Sequence, residues 1–266
     1  MFDLLFERGS DGALYLVWLL SGLGWTLALA FFGWWLAFAI GILVGINRTR
    51  PRGVASFAAR LYVEIFRNTP LLVQLFLWYF VLPEMLPATA GDWLKQMPPP
   101  WGAFVPALIC LSFYTGARVA EQVRAGIEAL PRGQSEAAAA LGLRSDQVYR
   151  LVIMPQALRM IVPSLTSEVM GIYKNTSVAL TIGVIELTAQ ARQISEATFQ
   201  TFSAFAWATL IYLALALAAY QLMSVIDARL KIPGLQPAAP RRPRTPPLDT
   251  GVMHPTEAPI PAGNRS

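Results

Sequence analysis

The sequence predicts an all-α integral membrane protein with about five transmembrane helices and a polar loop projecting from one end. Three observations predict it. Of 266 residues, 55% are hydrophobic and only 14% charged, against about 25% charged in soluble domains, and the mean hydropathy is +0.47. Long charge-poor runs recur, the first being Leu14 to Ile46 with no charge at all, and a bilayer core needs about 20 apolar residues per helix. Arginine-rich connections alternate with connections nearly free of basic residues, as the positive-inside rule requires of a multi-pass chain.

Composition also excludes several activities. The one cysteine, Cys110, lies in an apolar run and the one histidine, His254, in the polar tail. No disulfide can form within the chain and no metal-ligand spacing exists, so neither a metal site nor Cys–His or Ser–His–Asp catalysis is expected. No catalytic residue is assigned. The phosphate-binding pattern G-x-x-x-x-G-K-[ST] is absent from the sequence, so the chain is expected neither to hydrolyse ATP nor to bind a cofactor of its own. Asp3, Glu7 and Asp11 make the N-terminus acidic where a signal peptide is basic, so the first span is read as retained.

Taken in order, residues 1–20 form a short external lead, residues 21–232 a transmembrane domain and residues 233–266 a disordered cytoplasmic tail. The first spanning helix is expected over Leu23–Ile46, preceded by an interfacial segment. Gly41 and Gly45 have the small-xxx-small spacing that lets a neighbouring helix approach. Arg48, Arg50 and Arg52 then mark a cytoplasmic loop, which puts the N-terminus outside and, after five spans, the C-terminus inside. Residues 55–82 begin amphipathic and end apolar. Arg60, Glu64 and Arg67 share a helix face there, either as a surface ion-pair stripe or as ligands. Pro70 kinks this helix and frees backbone groups that polar neighbours must satisfy.

Residues 83–103 contain Pro83, Pro87, Pro98, Pro99 and Pro100 and read as an external loop. A third helix from Phe104 has an apolar outer half and a charged inner half, where Arg118, Glu121, Arg124 and Glu128 form one stripe of alternating sign. Pro131 and Gly133 turn the chain. Residues 136–155 are markedly polar for their surroundings: an alanine-rich helix favoured by propensity, a turn at Gly142–Leu143, and a second helix interrupted at Pro155. Ile161–Ile185 is a fourth span rich in polar residues. Its Ser167, Gly171, Lys174, Val178 and Thr181 are expected to face the bundle interior, since intramembrane charge needs a partner or a wet cavity. Lys174 has two open roles, ligand or partner of Glu168. Residues 186–202 form a second external segment, and Phe202–Ile226 is the fifth span. Prolines and arginines after residue 233 exclude a core.

The stretch EAAAALGLRSDQVYRLVIMP, from Glu136 to Pro155, resembles the signature loop of ATP-binding-cassette (ABC) importer permeases. Glu136, Ala137, Ala138 and Gly142 match outright. Val152, Met154 and Pro155 fill the ending, with Val and Met where Ile and Leu are more usual. The runs YVEIFRNTPLLVQL, ARVAEQVRA, LPRGQ, MPQALR, VPSLTSE and KNTS extend the resemblance over about Gly22–Gly234, to the polar-amino-acid uptake branch and within it to glutamate/aspartate permeases. The resemblance implies a bacterial inner-membrane subunit in which Glu136, Ala137, Ala138, Gly142 and Pro155 couple to an ATPase. Lys174, Asn175, Thr176 and Ser177 are expected near the substrate path, because the two carboxylates of an acidic amino acid suit lysine and hydroxyl donors. The implied partners are ABC ATPase subunits, which use ATP and Mg, a second permease that is identical or homologous, a periplasmic amino-acid-binding protein, and the lipid bilayer; nucleic acid is not among them. Glutamine/asparagine or basic amino acids are alternative cargoes, and a secondary transporter or channel the alternative class.

Overall fold

A computed structural model describes residues 3–50 and 53–230. The expected tail, with Arg241, Arg242 and Arg244, lies outside the described residues, as do Arg52 and Lys231.

Helix α1 spans Tyr15–Thr49. Its 35 residues form one continuous helix, about 52 Å long at 1.5 Å per residue. It therefore outruns the expected Leu23–Ile46 at both ends, because nothing in the apolar lead breaks it: Gly22 and Gly24 are tolerated inside it. The crossing then continues through α2 (Val54–Asn68) and α3 (Leu71–Phe76), followed by a π-helical turn over Leu77–Val81 and α4 (Leu82–Met85). The two halves meet at Thr69–Pro70 with a bend of 109°, far beyond a proline kink. Gln74 makes the break tolerable. Its amide donates to Phe66 O at 2.9 Å, Thr69 O at 3.0 Å and Thr69 Oγ1 at 2.6 Å. The freed carbonyls thus find a buried partner, which a lipid-facing break would lack.

The proline-rich interval expected as a loop is largely helical. Pro83 sits in the first turn of α4 and Pro87 immediately precedes α5 (Ala88–Lys95). In these places a missing N–H costs nothing, because the first N–H groups of a helix have no partner anyway. Helix α6 (Trp101–Glu128) returns along α1. Gly41 and Gly45 are what allow this. A Cβ on Gly45 would lie 2.7 Å from Val123 Cβ and 2.9 Å from Ala120 O, and one on Gly41 would overlap Val119.

Next come α7 (Arg132–Ala140), α8 (Ser145–Gln147), a π-helical stretch over Val148–Ile153 and α9 (Met154–Asn175). Pro155 does not interrupt this run. The N–H of Met154 reaches back five residues to Tyr149 O, and the widened turn accommodates the proline ring that an α-turn would crowd. A 3₁₀ segment over Thr176–Ile182 ends at Gly183, with φ +90°. Finally α10 (Leu187–Thr198) and α11 (Thr201–Leu230) close the described residues.

Among the described residues, α1, α6 and α11 are long and apolar enough to cross a membrane, and the bent α2–α4 pair supplies a fourth crossing. Helix α9 has 22 residues, about 33 Å, and is distinguished by its polar residues. By length and apolarity the described residues thus carry three crossings, or four with the bent pair as one, roughly in keeping with the five expected. The core is layered along the bundle. Leu29, Leu75, Phe104 and Leu111 pack together at one level, and Val123, Ile161, Leu165 and Val169 at another.

Candidate functional site

Two regions carry chemistry, and both are built from elements anticipated in the sequence. The first is the loop from α7 to α9. Helix α7 ends in a paired closure: Leu143 N–H reaches Ala138 O at 3.3 Å and Gly142 N–H reaches Ala139 O at 2.9 Å. This geometry places the residue after the helix in the left-handed region, and Gly142 has φ +85°. Gln147 Oε1 then accepts from Arg144 N at 2.9 Å, opening α8. Within α7, Ala138 is buried against Leu130, Val148 and Ile153. Glu136, Ala137, Ala139 and Leu141 are exposed, so one alanine of the Glu-Ala-Ala trio seats the helix while its neighbours remain available. Glu136 was expected near the helix start. Helix α7 begins at Arg132 because Pro131 suits the position just before the first turn, so Glu136 lies a full turn inside. Pro155 is also exposed.

The loop does not pack solidly on the bundle. A cleft of about 550 Å³ lies beneath it, lined by Thr49, Glu128, Arg132, Ser135 and Tyr149 among others. The Thr49 and Tyr149 hydroxyls meet at 3.2 Å.

The second region is the polar stripe of α9 and its 3₁₀ extension. It does not face the interior of this chain. Leu165, Val169, Ile172, Thr176 and Ala179 turn inward, whereas Ser167, Lys174 and Thr181 are exposed and Gly171 has open space where a Cβ would stand. The apolar face wins the core because each large side chain buried there contributes about 1.5–3 kcal/mol. Of Lys174, Asn175, Thr176 and Ser177, only Thr176 is fully buried, its hydroxyl donating to Tyr173 O at 2.7 Å.

Along α6 the expected stripe forms where Arg124 pairs with Glu121 and Glu128, while Arg118 and the remaining partners of Glu121 are spent between helices. Arg118 donates to Glu168 at 2.8 Å, Gln122 donates to the same carboxylate at 3.0 Å, and the Arg118 guanidinium lies 5.8 Å from the Tyr114 ring. The neighbour proposed for Lys174 is therefore already engaged. Glu121 takes Arg48 and Arg124, with Arg67 at 3.6 Å. Arg124 also holds Glu128. Glu64 accepts from Asn68 at 3.0 Å, so the expected Glu64–Arg67 face is split. A spacing of three or four residues allows local pairs but does not choose them over partners brought by the fold.

Sequence reading missed Glu186. It is fully buried, caps α10 by accepting from Thr188 N at 3.0 Å and Ala189 N at 2.9 Å, and receives the Tyr212 hydroxyl at 2.6 Å. Burial pushes its carboxyl above the ordinary carboxylate range, and these donors draw it partly back. Its place three residues before a helical amide was the available signal.

Comparison with known proteins adds a family, two relatives and two solved structures. Residues 37–232 match the family described as "Binding-protein-dependent transport system inner membrane component". The chain is 42% identical over 221 residues to the glutamate/aspartate import permease protein GltJ of Escherichia coli K12, covering 83% of this chain and 90% of that protein. It is 36% identical over 197 residues to the nopaline transport system permease protein NocM of Agrobacterium fabrum, covering 73% and 80%. Among solved structures, an amino acid ABC transporter crystallised with histidines superposes with a TM-score of 0.69 at 32% identity, covering 81% of this chain and 95% of that one. The inward-facing MetNI methionine transporter gives 0.65 at 22% identity, a likeness of fold.

Proposed function

Because the chain belongs to the binding-protein-dependent transport system inner membrane components, we propose that it is the permease subunit of an ATP-driven importer of L-glutamate and L-aspartate. It lies in the bacterial inner membrane as a multi-pass protein, with its N-terminus outside and its C-terminus in the cytoplasm. Arg48, Arg50, Arg132, Arg144 and Arg150 all fall on the side of the α7–α9 loop under this orientation.

The observation that carries the substrate is the 42% identity with a glutamate/aspartate permease across 83% of the chain. The site chemistry agrees. An acidic amino acid brings two carboxylates, which charged and hydroxyl donors hold well, and the exposed Lys174 stripe offers such donors on the face left open by the chain's own core. A second permease, identical or homologous, faces this stripe, and the substrate passes between the two. A periplasmic binding protein delivers it. ATP, with Mg, is bound and hydrolysed by separate ATPase subunits, which dock on the exposed face of α7 around Glu136, Ala137 and Leu141. Closure of those subunits moves α7, and the Gly142 turn passes that movement to α9, whose C-terminal end carries Lys174.

Uptake of labelled L-glutamate by cells with and without this chain, its partners present, tests the proposal. Deletion is expected to abolish uptake, and unlabelled aspartate to compete in the wild type. Competition by arginine or histidine alone overturns the substrate, and uptake that follows an ion gradient without ATP overturns the importer. Lys174→Gln is expected to weaken uptake affinity; an unchanged affinity in an assembled complex removes Lys174 from the path.

A further inference from the structure

The charges around Glu121 form a connected chain with two ends. One end is Arg48, in the last turn of α1, with a side chain only 10% exposed. It donates to Glu121, in the part of α6 nearest the loop. Arg67 of α2 approaches the same carboxylate at 3.6 Å. From Glu121 the chain passes to Arg124, which reaches the carboxylate at 3.2 Å through Nε and through a second nitrogen as well. Arg124 in turn holds Glu128, the last residue of α6. Glu128 lines the cleft under the loop beside Arg132 and Ser135 of α7. A second link starts one residue from Arg48, where the Thr49 hydroxyl meets Tyr149 in the π-helical stretch leading to α9.

Between these two links is the cleft of about 550 Å³. The loop is seated on the end of α6 by apolar contact, Ala138, Val148 and Ile153 packing with Ile127 and Leu130, and is tied to the end of α1 by the Thr49–Tyr149 contact. The ion pairs of Glu121 add directed contacts that hold one arrangement of α1, α2 and α6.

We infer that Glu121 is a positioning residue for transport, fastening the ends of α1, α2 and α6 into one rigid unit so that displacement of the α7 loop is delivered to the spanning helices. The pairs are partly desolvated, so breaking one leaves uncompensated charge and shifts the arrangement rather than merely loosening it. Glu121 touches neither nucleotide nor substrate. It acts through Arg48 and Arg124, and its effect is on the yield of transport per ATP.

The test is made on the complete complex, reconstituted in lipid vesicles with its binding protein and internal ATP, and it rests on the ATP-driven importer reading. Wild-type vesicles check that reading separately, since it fails if their uptake does not require ATP. In Glu121→Gln the complex is expected to assemble and hydrolyse ATP, while glutamate transported per ATP falls about ten-fold. Glu121→Asp, which keeps a carboxylate facing Arg48, Arg67 and Arg124, is expected to retain most of that ratio. Tyr149→Phe, which cuts the second link with little change in volume, is expected to lower the same ratio more mildly. An unchanged ratio in Glu121→Gln overturns the inference. So does a parallel fall of hydrolysis and uptake in Glu121→Gln that Glu121→Asp shares equally, because a merely structural role would produce it.

Discussion

At the scale of the residue, Gly142 shows how one position fixes a loop. The paired closure of α7 requires positive φ there, and no neighbouring atom crowds the site. Replacement by alanine therefore meets backbone strain and no clash, costing about 1–2 kcal/mol. Gly142→Ala is expected to leave the complex assembled but with glutamate uptake lowered several-fold. Wild-type uptake in a quantitated membrane preparation would show that the turn tolerates another geometry. This position was legible in the sequence, because glycine after an alanine-rich helix is itself a stop signal. Arg124 as a neighbour of Glu121 was legible too, but the pairs Arg48–Glu121 and Arg118–Glu168 were not. Arg48 precedes Glu121 by 73 residues and Arg118 precedes Glu168 by 50, so local spacing suggested other pairs.

At the scale of the element, α1 and α6 meet along a seam whose closeness glycine sets. Gly45→Leu must displace Val123 or the backbone at Ala120, and overpacking of this kind costs about 1–3 kcal/mol. The expected outcome is a lower midpoint of thermal aggregation in detergent for the leucine variant, with Gly24→Leu as the control, since its Cβ meets nothing within 4 Å. Equal midpoints would show that the seam opens freely. The seam was legible from the spacing of Gly41 and Gly45. The helices α4 and α5 were not, because prolines at helix starts look like prolines in a loop until the neighbouring turns are seen. The π-helical stretches before Pro83 and Pro155 have no sequence mark beyond the prolines themselves.

At the scale of the whole molecule, the end opposite the loop is joined by Glu186. It links the cap of α10 to Tyr212 of α11, and the adjacent Leu187 N–H reaches Thr26 of α1 at 3.1 Å. Burial raises the folded-state pKa of Glu186, whereas the unfolded chain titrates near the ordinary value of about 4.3. The folded state therefore binds the proton more tightly between these two values. Stability attributable to this group should rise as pH falls through the raised value toward about 4.3, and be lost as pH climbs back. Melting of the purified complex across that window is expected to show this dependence, and Glu186→Gln to flatten it. An identical pH profile in both proteins would assign the dependence elsewhere. The long apolar helices α1, α6 and α11 and their order were legible in hydropathy. The direction of the α9 stripe was not, because polarity marks a face to be kept from lipid without saying whether the chain's own core or a neighbour covers it.

That stripe has a consequence for how the cell must make this protein. On the proposed pairing of two permeases, a copy without its neighbour would present the exposed Lys174 and the hydroxyls around it to hydrocarbon, at roughly 2.5–3.5 kcal/mol for a mid-membrane lysine. Surplus copies are thus marked by their own surface as misfits, open to proteolytic clearance. Matched dosage of the subunits, by shared transcription or by degradation of the excess, follows from the arrangement of one helix.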